Sequence, residues 1–195
     1  MYVKLQHGFT IIEMVVVVGL LGTIAGLLVL GSAESRKQQR LDVAVETFIS
    51  TVREVQTWGQ TGRAYGAAND DNRFDYGYGV YVDNPQNNPT SFIVYGGAGT
   101  EATYDDCIYD PTREFAEYKL PKGIKVSATQ TAGGAGDNNH KQVQVLFRRG
   151  DTQARLVDNV DSSDPFRDTI EITFTNGDTE RTVHINKFGL IYAIS

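Results

Sequence analysis

The sequence predicts an α+β chain in which a long N-terminal helix, half transmembrane and half amphipathic, packs on a C-terminal antiparallel β-sheet domain. Three observations lead there. Between Phe9 and Ala33 the only ionisable side chain is Glu13. Beyond that run, Leu41, Val45, Phe48, Val52 and Val55 recur at alternating spacings of four and three, which lines one face of a helix. From Phe74 the period changes to two: Phe74, Tyr76, Tyr78, Val80 and Val82 alternate with Asp75, Gly77, Gly79, Tyr81 and Asp83.

Each element follows in turn. Residues 1–8 are short and polar and carry Lys4. Residues 11–31 are uncharged apart from Glu13 and, as a helix, span about 30 Å, the thickness of bilayer hydrocarbon. A carboxylate at the head of such a segment is costly and points to a function. Gly22 and Gly26 form a G-x-x-x-G step, with Gly19 and Gly31 nearby, and small residues of this kind let helices approach closely. The helical pattern continues through the stripe to about Thr57, with Arg40, Asp42, Glu46, Ser50, Arg53 and Glu54 on the other faces, and Gly59, Gly62 and Gly66 end it. Strands are expected at 74–83, 91–95, 118–120, 124–129 and 142–147, with 96–117 as an acidic connection. Near the end, 169–175 and 179–186 flank Asn176-Gly177, a pair favoured in type I′ hairpin turns, and 190–194 follows a turn at Phe188-Gly189.

Charge narrows the functional classes. The net charge is −6, and ten acidic residues between Asp70 and Glu117 face only Arg73 and Arg113, so a basic nucleic-acid surface is not expected. Cys107 is the single cysteine, which excludes an intrachain disulfide. Three fates of the N-terminus compete on the residues alone. They are cleavage as a secretory signal near Gly31-Ser32-Ala33, retention as a signal anchor, and processing ahead of Phe9.

The run Gly8-Phe9-Thr10-Ile11-Ile12-Glu13, followed by the charge-free stretch, resembles the processing and assembly signal of type IV prepilins and type II secretion pseudopilins. The resemblance is specific over residues 8–31. It implies a leader at 1–8, a transmembrane and assembly segment at 9–33, an amphipathic continuation at 34–62 and a β-rich pilin-like head at 63–195. A prepilin peptidase would cut between Gly8 and Phe9 and N-methylate Phe9. Glu13 would pair with the N-terminal amine of a neighbouring subunit, offsetting the cost of a carboxylate in low dielectric, and Gly22 and Gly26 would serve helix packing. The implied partners are the peptidase, other pilin or pseudopilin subunits, an inner-membrane assembly platform and the lipid bilayer. The implied location is the cytoplasmic membrane in a single pass, head outside, and then a pilus or pseudopilus. Against that orientation, Arg36, Lys37 and Arg40 follow the span, and counting positive charges favours a cytoplasmic C-terminus. The closing strand-turn-strand pattern is similar to H-type minor pseudopilins. The competing function is a signal-anchored extracytoplasmic binding or enzymatic domain outside any filament.

No enzymatic constellation appears, and neither a catalytic residue nor a cofactor is expected. His140 and His184 lack ligand-spaced partners, and Gly96-Gly97-Ala98-Gly99 lacks the lysine and helix of a phosphate loop. Two acidic stretches are candidate calcium loops: Asp105, Asp106 and Asp110, and Asp158 and Asp161 with Asp164 and Asp168. Neither matches a known calcium spacing, and solvated loops account for them as well. Arg148-Arg149, followed by Gly150-Asp151, reads as a hairpin tip rather than a DNA contact.

Overall fold

A computed structural model describes residues 10–63, 77–97, 109–132, 138–139, 142–148, 150–151, 153–158 and 166–194, with side chains described for all but 28–33 and 138–139. The chain divides into two units, Met1–Gln38 and Gln39–Ser195. Helix α1 runs Ile11–Thr61, and its side chains are described over 11–27 and, the longer stretch, over 34–61.

The first unit overturns part of the expected fold. Among the described residues no helix is long and apolar enough to cross a membrane. The transmembrane half of the predicted helix, and with it the single-pass placement in the cytoplasmic membrane, is therefore corrected.

The second unit is also organised differently from the prediction. Where a long helix packed on an antiparallel β-sheet domain was expected, there are two five-stranded antiparallel sheets. The strands are β1 (Tyr78–Val82), β2 (Ser91–Gly96), β3 (Glu114–Lys119), β4 (Lys125–Ala132), β5 (Asn138–Asn139), β6 (Val143–Phe147), β7 (Arg155–Asp158), β8 (Thr169–Thr175), β9 (Glu180–Asn186) and β10 (Ile191–Ile194). One sheet has the order β3-β2-β1-β6-β7 and the other β10-β9-β8-β4-β5. The chain thus visits the first sheet, the second, the first again and the second again.

One apolar cluster joins the sheets to the C-terminal part of α1. Leu41, Ala44, Val45, Phe48, Val52 and Val55 are buried with Tyr78, Val80 and Val82 of β1, with Ile170, Ile172 and Phe174 of β8, and with Val183 and Ile185 of β9. The period of the helix and the period of the strands meet there, each burying one face. Phe48 touches both sheets: its ring lies edge-on to Phe92 of β2 at 5.0 Å and tilted against Phe174 of β8 at 5.2 Å. Arg53, on the polar side of the same helix, donates to the Ile191 carbonyl of edge strand β10 at 3.2 Å.

Several local expectations change. The acidic connection ends earlier than expected, because Glu114–Lys119 forms edge strand β3 with Glu114, Glu117 and Lys119 exposed. Charge on an edge strand discourages pairing with other chains, and it also hides the period-two signal. The turn after β8 is not type I′, which needs positive φ at both central residues. Only Gly177 has it, at φ +95°. Asn176 instead uses its side chain, accepting from the Asp178 N–H at 2.9 Å and the Thr179 N–H at 2.8 Å. Of the expected strand at 74–83, residues 74–76 lie outside the described residues.

Candidate functional site

The segment that carries the processing motif begins, in the described residues, at Thr10. Thr10 and Glu13 form a reciprocal cap at the start of α1. The Glu13 N–H donates to Thr10 Oγ1 at 3.3 Å, and the Thr10 N–H and hydroxyl both donate to Glu13 Oε2 at 3.3 Å. The first intrahelical bond follows, from the Met14 N–H to the Thr10 carbonyl at 3.2 Å. This is the Thr-x-x-Glu capping box, in which each side chain satisfies the other's orphan N–H. The carboxylate also sits at the positive end of the helix dipole, a placement worth about 0.3–1 kcal/mol. The pattern was visible in the sequence as Thr10-Ile11-Ile12-Glu13, but the sequence reading gave Glu13 only an intermolecular role. Gly8 and Phe9 lie outside the described residues.

Behind the cap the helix surface is apolar and uncovered. Ile11, Ile12, Met14, Val15, Val18, Leu20, Leu21, Ile24 and Leu27 are all exposed, Ile11 at 85%. Gly19, Gly22 and Gly26 follow at spacings of three and four on one side, and a Cβ added at any of them would meet nothing within 4 Å. Within the described chain, then, no neighbour demands glycine there. A helix that is apolar on every side is ordinarily buried against something.

The calcium candidates divide. Asp105, Asp106, Asp161 and Asp164 lie outside the described residues, as do Cys107, His140 and Arg149. Asp110 is an N-cap rather than part of an assembled ligand set. Its Oδ1 accepts from the Thr112 N–H and hydroxyl, each at 2.8 Å, and the backbone bond foremost holds its carboxyl below the usual carboxylate range. Asp158 is completely buried and forked onto Arg167, with Arg167 Nε to Oδ2 and Nη2 to Oδ1 both at 2.8 Å. The Thr131 hydroxyl adds a third donor at 2.8 Å. Those oxygens already have strong partners. Asp168 pairs with Lys187 Nζ at 2.6 Å, and His184 Nδ1 lies 3.0 Å from Glu171 Oε1, with its ring stacked on Tyr192. Among the described residues no group of three or more His, Cys, Asp or Glu is placed to hold a metal ion.

Compared with protein-family models, with curated proteins and with solved structures, the chain matches none of them. The pilin, pseudopilin and secretion assignments therefore receive no support from relatives, and the membrane assignment is overturned by the helix itself.

Proposed function

We propose that this chain is a structural subunit, a minor pilin or pseudopilin, of a filament of the type IV pilus or type II secretion class, cut after Gly8 and assembled through its N-terminal helix. The observation that carries the reading is the uncovered apolar surface of 11–27, headed by the Thr10–Glu13 cap. Fully burying a large aliphatic side chain contributes about 1.5–3 kcal/mol. Packing such helices side by side in many copies buries this surface, and the open positions at Gly19, Gly22 and Gly26 leave room for close approach. The partners in this reading are a prepilin peptidase, other subunits and an assembly platform. Co-expression with a prepilin peptidase is expected to yield a chain beginning at N-methylated Phe9, and expression without it a chain beginning at Met1, as read by intact mass. A start unaffected by the peptidase overturns the proposal.

Glu13 has two separable duties in this scheme. Glutamine still accepts from an N-cap N–H, so Glu13→Gln keeps the capping box and removes the charge. Glu13→Ala removes both. Glu13→Gln is expected to cut filament incorporation as severely as Glu13→Ala. Normal incorporation of E13Q would leave the cap as the whole role of Glu13.

A further inference from the structure

Strand β10 is one rim of the second sheet among the described residues, and it lacks the charge that guards β3. Residues 188–195 contain neither a charged side chain nor a proline. Phe188, Leu190, Tyr192 and Ile194, spaced by two, are all exposed, Phe188 at 67%. An uncharged apolar edge of this kind is a template for another strand.

The main chain narrows where a strand can be added. The Asn186 N–H donates to the Leu190 carbonyl at 3.1 Å, and the Leu190 N–H donates to Asn186 Oδ1 at 3.0 Å, so the main chain of Leu190 faces β9. Facing alternates along an antiparallel ladder. Tyr192, opposite His184, therefore also faces β9, whereas the carbonyls of Gly189, Ile191 and Ala193 turn outward. Helix α1 already occupies two of these three. Gln56 Nε2 donates to the Gly189 carbonyl at 3.4 Å, and Arg53 Nη2 donates to the Ile191 carbonyl at 3.2 Å. At the exposed Ala193 no such donor stands among the described residues.

One open residue, with one outward N–H and one outward carbonyl, is complementary to itself. In a hydrogen-bonded antiparallel pair the two residues exchange both bonds, and a two-fold axis at Ala193 supplies that exchange from an identical strand. The same axis sets Tyr192 beside Ile194 of the second copy, and Ile194 beside its Tyr192, on the exposed face. Aromatic and β-branched side chains are favourable cross-strand neighbours. We infer that the chain forms a two-fold dimer in which β10 pairs antiparallel with β10 of a second copy, Ala193 opposite Ala193, joining two five-stranded sheets into one of ten strands. The contact is short, which places it in the weak, concentration-dependent class. It does not rest on the filament reading, which uses residues 11–27.

The test is sedimentation velocity of the full chain over a concentration series, in dodecyl maltoside micelles that cover the apolar surface of 11–27. A monomer–dimer equilibrium is expected. Ala193→Pro removes only an N–H that β9 does not use, so the sheet itself tolerates it. It is expected to weaken the dimer about tenfold or more, because symmetry removes two hydrogen bonds at once. Ile194→Lys, which places a charge on the edge, is expected to weaken it to a similar degree. Ala193→Cys in a Cys107→Ser background, oxidised by copper–phenanthroline in air, is expected to give a disulfide-linked dimer. The Cα atoms of such a pair lie about 5.5 Å apart, within disulfide range. Phe188→Cys, exposed but far from the axis, is expected to stay uncross-linked. A monomer at every concentration, a dimer unchanged by both A193P and I194K, or cross-linking of F188C as efficient as that of A193C overturns the inference.

Discussion

Arg167→Met is expected to lower the stability of the β-rich unit by about 3–5 kcal/mol, the cost of leaving a buried carboxylate unpaired. Asp158 and Arg167 have no exposed side-chain surface, so water cannot replace the lost partner without disrupting the fold. Urea unfolding followed through the lone tryptophan, Trp58, which lies 5.6 Å from the Tyr78 ring in the same core, measures the loss. The companion variants make the cause specific. Adding Asp158→Leu removes the stranded charge and is expected to recover most of the stability, because apolar replacement of a buried pair is often neutral. The Thr131 hydroxyl, which donated to Asp158, is then left unsatisfied at about 1–3 kcal/mol. Thr131→Val in the same background is expected to recover that part of the loss. A single Arg167→Met variant as stable as the parent would show that the fork carries no weight.

Gly59→Ala is the second large effect, and its sign is opposite to what helix propensity gives. Alanine is better than glycine inside a helix by about 1 kcal/mol. Yet a Cβ at residue 59 would stand 2.7 Å from the Phe147 carbonyl carbon and 2.8 Å from its Cβ, and closer still to its carbonyl oxygen. The obstacle is chiefly the backbone of β6, which cannot swing aside. The helix or the strand must shift, and a net loss of about 1–3 kcal/mol is expected in the same urea measurement. Gly22→Ala serves as the control. It meets nothing within 4 Å, so it is expected to raise helicity in the isolated chain. Equal responses at the two positions would mean that the approach of α1 to β6 is not as close as described.

The parts of this fold that were legible in the sequence are those where one face is apolar and the other polar. The stripe from Leu41 to Val55 named the buried face of the helix, and the alternation at Ile170, Ile172 and Phe174 marked a strand with one face inward. What was not legible breaks that rule. Strand β7 is four residues long and puts a charged side chain, Asp158, at a fully buried position, so it read as a solvated acidic loop. Partners distant in sequence, Arg167 and Thr131 among them, make that burial tolerable, and no local pattern announces them. Edge strand β3 carries charge where a strand pattern expects apolar residues. The division into two sheets was hidden for another reason: strand pairing is decided by contacts between distant segments, such as β1 with β6. At the candidate site the balance is reversed. The motif around Glu13 is plain in sequence, whereas the Thr10 cap that engages Glu13 is carried by the same letters and is masked by the stronger processing motif.

The interleaving of the two sheets bears on how the chain is made. The first sheet starts with β1 to β3, but the partner on the other side of β1 is β6, which emerges only after two strands of the second sheet have been synthesised. The second sheet starts with β4, whose main partner β8 comes later still. A ribosome delivers these strands in an order in which neither sheet can close early, at about 5–20 residues per second. Strand β4 therefore waits several seconds with an open edge while the chain up to β8 is completed. Any chaperone that protects this protein during synthesis has its work concentrated in that interval, on the stretch around Val126, rather than on the finished fold.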